Sequence, residues 1–328
     1  MDSFNILFTS SGRRVALIRH FQDALRNLGI NGKIVTVDLN RHAPTGFIGD
    51  VFESVPRVTD PGYVGLLLDI CRRHNIRLLI PLIDTELQLL SESKQLFEDI
   101  GVTVLVCSTE TNRICRNKHN TAAFFKSISI DAPAVYQIDA TLNDSRASYP
   151  FIIKPYNGSS SIGVTKIESR EELKFYSSSV KEPILQEFIE GEEYTVDVLV
   201  DFEGRVRSVV PRLRLETRAG EVSKGITVKN RKIIEATKFV AEKLPGAVGC
   251  LTIQCFLTPS GQVKYIEINP RFGGGFPLSV TAGADFPRWI IEMLLGRDPK
   301  IEIDGWRDGV VMLRYDDAVF TTRDKINL

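Results

Sequence analysis

Between residues 4 and 107, short apolar runs alternate with segments whose apolar side chains recur at helical spacing. The runs at 4–8 (FNILF), 33–38 (KIVTVD), 77–82 (RLLIPL) and 102–107 (VTVLVC) read as buried strands. After the first, Val15, Ile18, Phe21, Leu25 and Leu28 repeat every three or four residues, and Gly29 stands where a helix stops. Asp60 and Pro61 offer an N-cap and a first-turn proline for a helix running through Arg73, and a further helix starts near Asp84. Strands separated by helices pair in parallel through crossovers. The expectation over residues 1–112 is therefore a Rossmann-like parallel α/β domain.

Composition narrows the class. With 328 residues and 43% hydrophobic side chains, the chain can build two or three cores. Its 41 basic and 41 acidic residues cancel, so there is no chain-wide basic field and no nucleic-acid partner is expected. No run of about 18 apolar residues suggests a membrane span. The start, Met1-Asp2-Ser3-Phe4, lacks the basic region and cleavage site of a signal peptide. The five cysteines form no CxxC pair, and their odd number speaks against a disulfide framework. A cytoplasmic location is expected.

The second section changes character. A helix is expected over 118–127, and strands over 151–154 and 163–167 flank a polar Gly/Ser loop. Ser169 and Glu172 form a capping box for another helix. From about 184 the signals become antiparallel. Residues 194–201 and 205–213 pair around Glu203-Gly204, and 250–258 and 262–269 pair around Pro259-Ser260-Gly261.

Two glycine loops invite a nucleotide reading. Ser10-Ser11-Gly12-Arg13-Arg14 follows the first strand, and Asp38 ends the second, where a ribose-binding acid would stand. Only the middle glycine of GxGxxG is present, so an ordinary strand-to-helix turn is the preferred reading and NAD the weaker one. Arg13 and Arg14 at that helix start either hold an anion or form a solvated basic pair. Gly158-Ser-Ser-Ser-Ile-Gly163 has P-loop spacing, but Val164 occupies the lysine position and Lys154 lies upstream instead.

The hairpin at 250–269 carries the sharper signal. If Thr258 pairs with Gly261, Gln254 faces Tyr265 and Thr252 faces Glu267, which makes Gln254 and Glu267 diagonal neighbours on one face. Asn269 follows on the same side. Leu251, Ile253, Cys255, Leu257, Ile266 and Ile268 fill the opposite, core face. One carboxylate and two amide oxygens suit Mg²⁺ that also binds substrate phosphates. Arg271 and the run Gly273-Gly274-Gly275 follow directly, and successive glycines permit a backbone turn whose N–H groups converge on an anion.

These residues resemble the ATP-grasp superfamily, particularly the half-modules of carbamoyl phosphate synthetase large subunits. The resemblance rests on Asn117-Lys118, Phe151-Ile-Ile-Lys154-Pro155, Gly158 to Val164, Gln186-Glu187-Phe188-Ile189-Glu190-Gly191-Glu192-Glu193-Tyr194, Gln254, and Ile266-Glu267-Ile268-Asn269-Pro270-Arg271, in that order over about residues 113–295. It implies a single ATP-grasp fold of two α+β subdomains clasping ATP: a small lid subdomain over 113–185 and a C-terminal subdomain with the metal site over 186–328. It also implies that Lys118 and Lys154 bind the ATP phosphates. The loop Gly158, Ser159, Ser160, Ser161, Ile162 and Gly163 would close over them. Gln186, Glu187, Phe188 and Ile189 would surround adenine, with Gln186 in a position that relatives fill with glutamate, and Glu193 would accept from the ribose. Gln254, Glu267 and Asn269 would hold Mg²⁺, with Mn²⁺ as a substitute. Lys118, Lys154 and Arg271 would serve catalysis.

What the resemblance implies for activity is ADP-forming ligation. ATP phosphorylates a small carboxylate, and an amine or ammonia attacks the acyl phosphate. Substrate candidates are Arg214 and Arg218, which share a side in a continuous strand, with Gly273, Gly274, Asp84 and Arg13. Asp84 alternatively serves as an N-cap, and the arginines as a charged edge strand. Two other readings stay open: one half of a split carbamoyl phosphate synthetase, and a non-catalytic ATP-binding regulator. A homodimer is the base-rate expectation.

Overall fold

The computed structural model describes residues 3–157, 163–218 and 220–326. The strands β1 (Asn5–Thr9), β2 (Ile34–Asp38), β3 (Val51–Ser54), β4 (Ile76–Pro81) and β5 (Thr103–Val104) form a parallel sheet in the order β3-β2-β1-β4-β5. The helices α1 (Val15–Asn27), α2 (Tyr63–Arg73), α3 (Asp84–Glu92) and α4 (Lys94–Glu98) lie among them in sequence. Apolar side chains at a spacing of three or four drive α1 onto the sheet, where Leu17, Ile18, Phe21, Ala24 and Leu25 are buried.

Two local expectations are corrected, and one strand is new. Helix α2 starts at Tyr63, because the Asp60 carboxylate accepts from the Gly62 N–H and its carbonyl from the Tyr63 N–H, which makes a turn of the expected cap. Only Thr103–Val104 of the 102–107 run pairs as a strand. The rest leaves the sheet, and the Ser108 N–H and hydroxyl bond the carbonyls of Gly246 and Pro245. Strand β3 is an addition. Its VFES sequence has no buried residue and gives no apolar run.

Past α5 (Thr109–Arg116) and α6 (Lys118–Ser127), a small antiparallel sheet has the order β6-β9-β7-β8: β6 (Val135–Tyr136), β7 (Phe151–Pro155), β8 (Thr165–Ile167) and β9 (Pro183–Glu187). Its core, Phe151, Ile153, Ile167, Leu173 and Leu185, is closed by α7 (Ile138–Asn143) and α8 (Arg170–Ser179). The expected subdomain division at 185/186 falls inside β9.

The third sheet is antiparallel, in the order β14-β13-β10-β11-β12-β15. Its strands are β10 (Glu192–Val200), β11 (Val206–Arg218), β12 (Glu221–Thr227), β13 (Gly249–Leu257), β14 (Val263–Asn269) and β15 (Val311–Leu313). Helix α9 (Arg231–Lys243) packs on it through Ile233, Ile234, Thr237, Val240 and Ala241. The chain continues into α10 (Pro277–Thr281) and α11 (Phe286–Leu294).

One hydrophobic core runs from the parallel sheet into the large antiparallel one. Edge-to-face ring contacts mark its path: Phe8 to Phe21 at 5.1 Å, Phe21 to Phe272 at 5.9 Å, and Phe272 to Phe276 at 4.7 Å. Rings at such separations add about 0.5–1.5 kcal/mol per pair beyond area burial. They fix α1 against the segment that follows β14, so the end of β1 and the end of β14 face each other.

Candidate functional site

Strand β14 supplies the centre. Its pairing differs from the expected register. Gln254 lies directly opposite Glu267 and Thr252 opposite Asn269, whereas Cys255 pairs with Tyr265. The shift is a bulge at Ile266, the extra residue between the two registers. Gln254 and Glu267 are therefore direct cross-strand partners rather than diagonal ones. Ile266 is turned out of the core into the cleft wall, and Tyr265 takes the buried place, 1% exposed.

Two cavities meet at this strand. One, of about 220 Å³, is lined by Lys154, Gln186, Phe188, Ile189, Glu193 and Gln254 among others. The second, of about 160 Å³, lies against Asp84, Gln88, Asn112, Cys115, Arg116 and Asn269. Lys118, Ile266 and Glu267 belong to both. Asn117 caps α6 by accepting from the His119 and Asn120 N–H groups, which places Lys118 at the first helical position.

The charged groups are held in defined ways. Lys154 is 9% exposed, and burial pushes its pKa down to about 8, with Lys118 adding repulsion and Glu267 and Glu193 opposing it. Glu193 is held by Arg214 at 2.7 Å, and burial raises its pKa against that arginine's pull. Arg271 donates to Asp84 Oδ2 at 2.8 Å and to Asn269 Oδ1 at 3.3 Å. Asn269 in turn donates to Glu267 Oε1 at 2.6 Å. A chain of hydrogen bonds thus runs from the parallel sheet to the Gln254–Glu267 pair.

The donor set can be tested against the groups expected. Glu267 is the one carboxylate beside the two amides, and the described residues contain no group of three His, Cys, Asp or Glu able to hold a metal. Such a site fits a hard cation that takes its remaining oxygens from phosphates, not one caged by protein alone. In the larger cavity, the buried Gln186 Oε1 has no hydrogen-bond partner. An N–H donor, such as an adenine amino group, would satisfy it. Glu187 is anchored by Lys264 at 2.6 Å, and Lys166 lies 4.9 Å over the Phe188 ring. The residues present fit a purine nucleotide with Mg²⁺.

Other candidates fall elsewhere. Gly158 to Ile162 lie outside the described residues; Gly163 has φ +73°, with Pro155 3.1 Å from where a Cβ would stand. Arg214 and Arg218 do not share a side, because the ladder skips Leu215 of β11, with Ser223 skipped on β12, which puts the two arginines out of phase. Arg214 is committed to Glu193 and the Gly220 carbonyl, while Arg218 is exposed and pairs with Asp316. Arg13 is exposed as well. Asp38 accepts from the Gly12 N–H at 2.8 Å, so the acid at the end of β2 closes the first loop. Gly273, Gly274 and Gly275 are required by close approach, not by positive φ. A Cβ would stand 3.0 Å from Thr252 at the first, 2.9 Å from Arg14 and Glu221 at the second, and 2.3 Å from Val222 at the third.

Sequence reasoning missed the second cavity and did not separate the two arginines after β1. Arg13 is exposed, whereas Arg14 is half-buried beside Gly274, and its spacing to Ile18, Phe21 and Leu25 continues the buried stripe of α1.

Comparison with known proteins adds two family matches, two relatives and a structural neighbour. Residues 6–105 match a family described as "PylC-like, N-terminal domain", and residues 115–275 one described as "ATP-grasp domain". A D-alanine–D-alanine ligase of Wolbachia pipientis wMel is 36% identical over 195 residues, which is 54% of this chain and 62% of that ligase. The chain thus spans just under two thirds of that relative's length. A 3-methyl-D-ornithine–L-lysine ligase of Methanosarcina acetivorans is 25% identical over 265 residues, covering 80% of this chain and 67% of that protein. The biotin carboxylase domain of the Hydrogenobacter thermophilus 2-oxoglutarate carboxylase, solved with MgADP and bicarbonate, superposes with a TM-score of 0.74 at 17% identity, covering 95% of this chain and 74% of that one.

Proposed function

Since the chain carries an ATP-grasp domain behind a PylC-like N-terminal domain, we propose that it is a Mg²⁺- and ATP-dependent ligase joining a small carboxylate to an amine or ammonia. The observation that carries this reading is the junction of the two cavities. Lys118 and Glu267 belong to both, so a nucleotide in one places its phosphates at the mouth of the other.

In this reading a carboxylate oxygen attacks the γ-phosphorus and ADP leaves. The amine nitrogen then attacks the acyl carbon, the C–O bond breaks, phosphate departs with that oxygen, and the amine gives up a proton. Lys154 and Lys118 hold the phosphates, and Lys154, costly to charge in the empty site, is the cation that a phosphate most relieves. Gln254, Glu267 and Asn269 would hold Mg²⁺, which supplies positive charge to the transferring phosphoryl group; Mn²⁺ is a chemically similar substitute. Arg271, aimed by Asp84 and Asn269, stabilises developing negative charge. Glu193, fixed by Arg214, accepts from the ribose. Gln186 selects the purine amino group through its unpaired oxygen.

The test is release of ADP and phosphate from Mg-ATP by the full chain, with pools of carboxylates and amines added singly and in pairs. Release that needs one member of each pool supports the reading. Release with bicarbonate and ammonia alone would replace it with carbamoyl phosphate chemistry, and nucleotide binding without release in any pair would favour a regulator.

A further inference from the structure

In the parallel sheet, β1 and β4 lie side by side while the chain continues to β2 on one side and β5 on the other. The crevice beyond the carboxyl ends of such a strand pair is where open α/β sheets bind ligands. Here it faces the turn after β14. Arg14 enters from the start of α1, Asp84 from the end of β4, and Arg271 with Gly274 from the turn. Glu221 of β12 and Arg314, just past β15, close the far side.

The charges do not balance. Arg271 pairs with Asp84 at 2.8 Å and Arg314 with Glu221 at 3.1 Å. The Arg14 guanidinium makes no hydrogen bond or ion pair with any described residue; Glu221 attracts it without pairing, and Arg14 Nη1 and Glu221 Oε2 each lie 2.9 Å from the position of a Cβ on Gly274. Three guanidinium groups against two carboxylates leave one positive charge, and the exposed Arg13 adds to it at longer range. The first turn of α1 contains no acid, and Arg14, its N-cap, makes no side-chain cap bond. Burial and the like charge of Arg271 hold the Arg14 pKa down to about 10. A Cβ on Gly274 would crowd Arg14 and Glu221, so the glycine is what lets both side chains approach the turn.

We propose, resting on the ligase reading above, that Arg14 binds a carboxylate that takes no part in the reaction, so that the substrate is a short molecule with a second, surviving carboxylate. The planar guanidinium fork matches a carboxylate, and one unbalanced charge calls for a monoanion. Two sources share this chemistry: the α-carboxylate of an amino acid serving as the amine, and the distal carboxylate of a dicarboxylic acid serving as the acyl donor. The reacting end lies toward Arg271, the charge that acts most strongly on Arg14.

Thermal unfolding of the full chain tests this with and without Mg-ADP. The probes are D- and L-amino acids and β-alanine against their amides, succinate and glutarate against their diamides, and inorganic phosphate. A ligand that binds only the folded state raises Tm by mass action. The expected result is a shift with at least one carboxylate and none with its amide. Arg14→Gln removes that shift, a loss of about 10- to 100-fold in affinity for a charge-assisted contact, and Arg14→Lys keeps part of it. Shifts from amino acids assign the amine substrate, and shifts from dicarboxylates the acyl donor. The proposal is overturned if no carboxylate shifts the wild-type protein, if Arg14→Gln keeps the shift, or if phosphate shifts it more than any carboxylate. Loss of the Mg-ADP shift in wild type would instead remove the ligase reading. The unliganded Tm of each variant, read in the same scans, exposes a folding defect.

Discussion

Lys154 destabilises its cleft when that cleft is empty, and the cost can be worked out. The residue is 9% exposed in β7, and moving its protonation from 10.5 to about 8 corresponds to about 3 kcal/mol at 1.36 kcal/mol per pH unit. The sign follows from linkage. Between pH 8 and 10.5 the unfolded chain holds a proton that the folded chain has lost, so stability of the empty protein rises with pH across that window. Below pH 8 the full penalty is present. Methionine has similar length and no charge, so Lys154→Met should raise unfolding stability of the nucleotide-free protein at pH 7 by about 1–3 kcal/mol, less whatever imperfect packing costs. The same change should flatten the rise between pH 8 and 10.5 and remove most of the stabilisation by Mg-ATP. Urea denaturation at pH 7 and pH 10, each with and without Mg-ATP, measures all three. A variant less stable than wild type at pH 7 without nucleotide, or one stabilised by Mg-ATP as strongly as wild type, would refute the reasoning.

Other expectations follow from the same geometry. Glu267→Ala and Arg271→Ala should each lower the rate of ADP release by about 10²–10³-fold, with near-unchanged Tm; unchanged ADP release would remove that residue from the mechanism. Gly275→Ala puts a Cβ 2.4 Å from Arg212 Nη1 and 2.3 Å from Val222 Cγ1. It should cost about 1–3 kcal/mol, read by denaturant titration, and a neutral result would mean the turn shifts freely. Asp197 receives two bonds from the 1%-exposed Arg212 and one from Ser279. Asp197→Ala leaves that guanidinium buried alone and should destabilise by about 3–5 kcal/mol, whereas a loss under 1 kcal/mol would show that water reaches it.

Legibility followed the range over which each signal acts. The strands at 4–8, 33–38 and 77–82 and the stripe Ile18, Phe21, Leu25 are local patterns, and the structure contains them as β1, β2, β4 and α1. The polar set Gln254, Glu267 and Asn269 was readable because alternation along a hairpin places side chains by parity. The bulge at Ile266 was not, since an inserted residue changes the backbone without changing composition. It moved Gln254 from a diagonal to a direct partner of Glu267, and Ile266 from core to cleft. A similar extra residue in β11, Leu215, separated Arg214 from Arg218. Contacts across the chain, such as Arg271 with Asp84 over 187 residues, leave no mark on either segment. Arg14 was legible only as one of a basic pair; its phase with the buried Ile18, Phe21 and Leu25 is the signal that separates it from the exposed Arg13.

The central claim is an acyl phosphate, and oxygen transfer tests it most directly. Once a carboxylate pool supports ADP release, the same pool labelled with ¹⁸O in its carboxylates should yield inorganic phosphate carrying one ¹⁸O atom per turnover, seen by mass spectrometry. Phosphate free of ¹⁸O, at the same rate of ADP release, would mean that water and not the carboxylate attacks ATP, and would contradict the ligase mechanism.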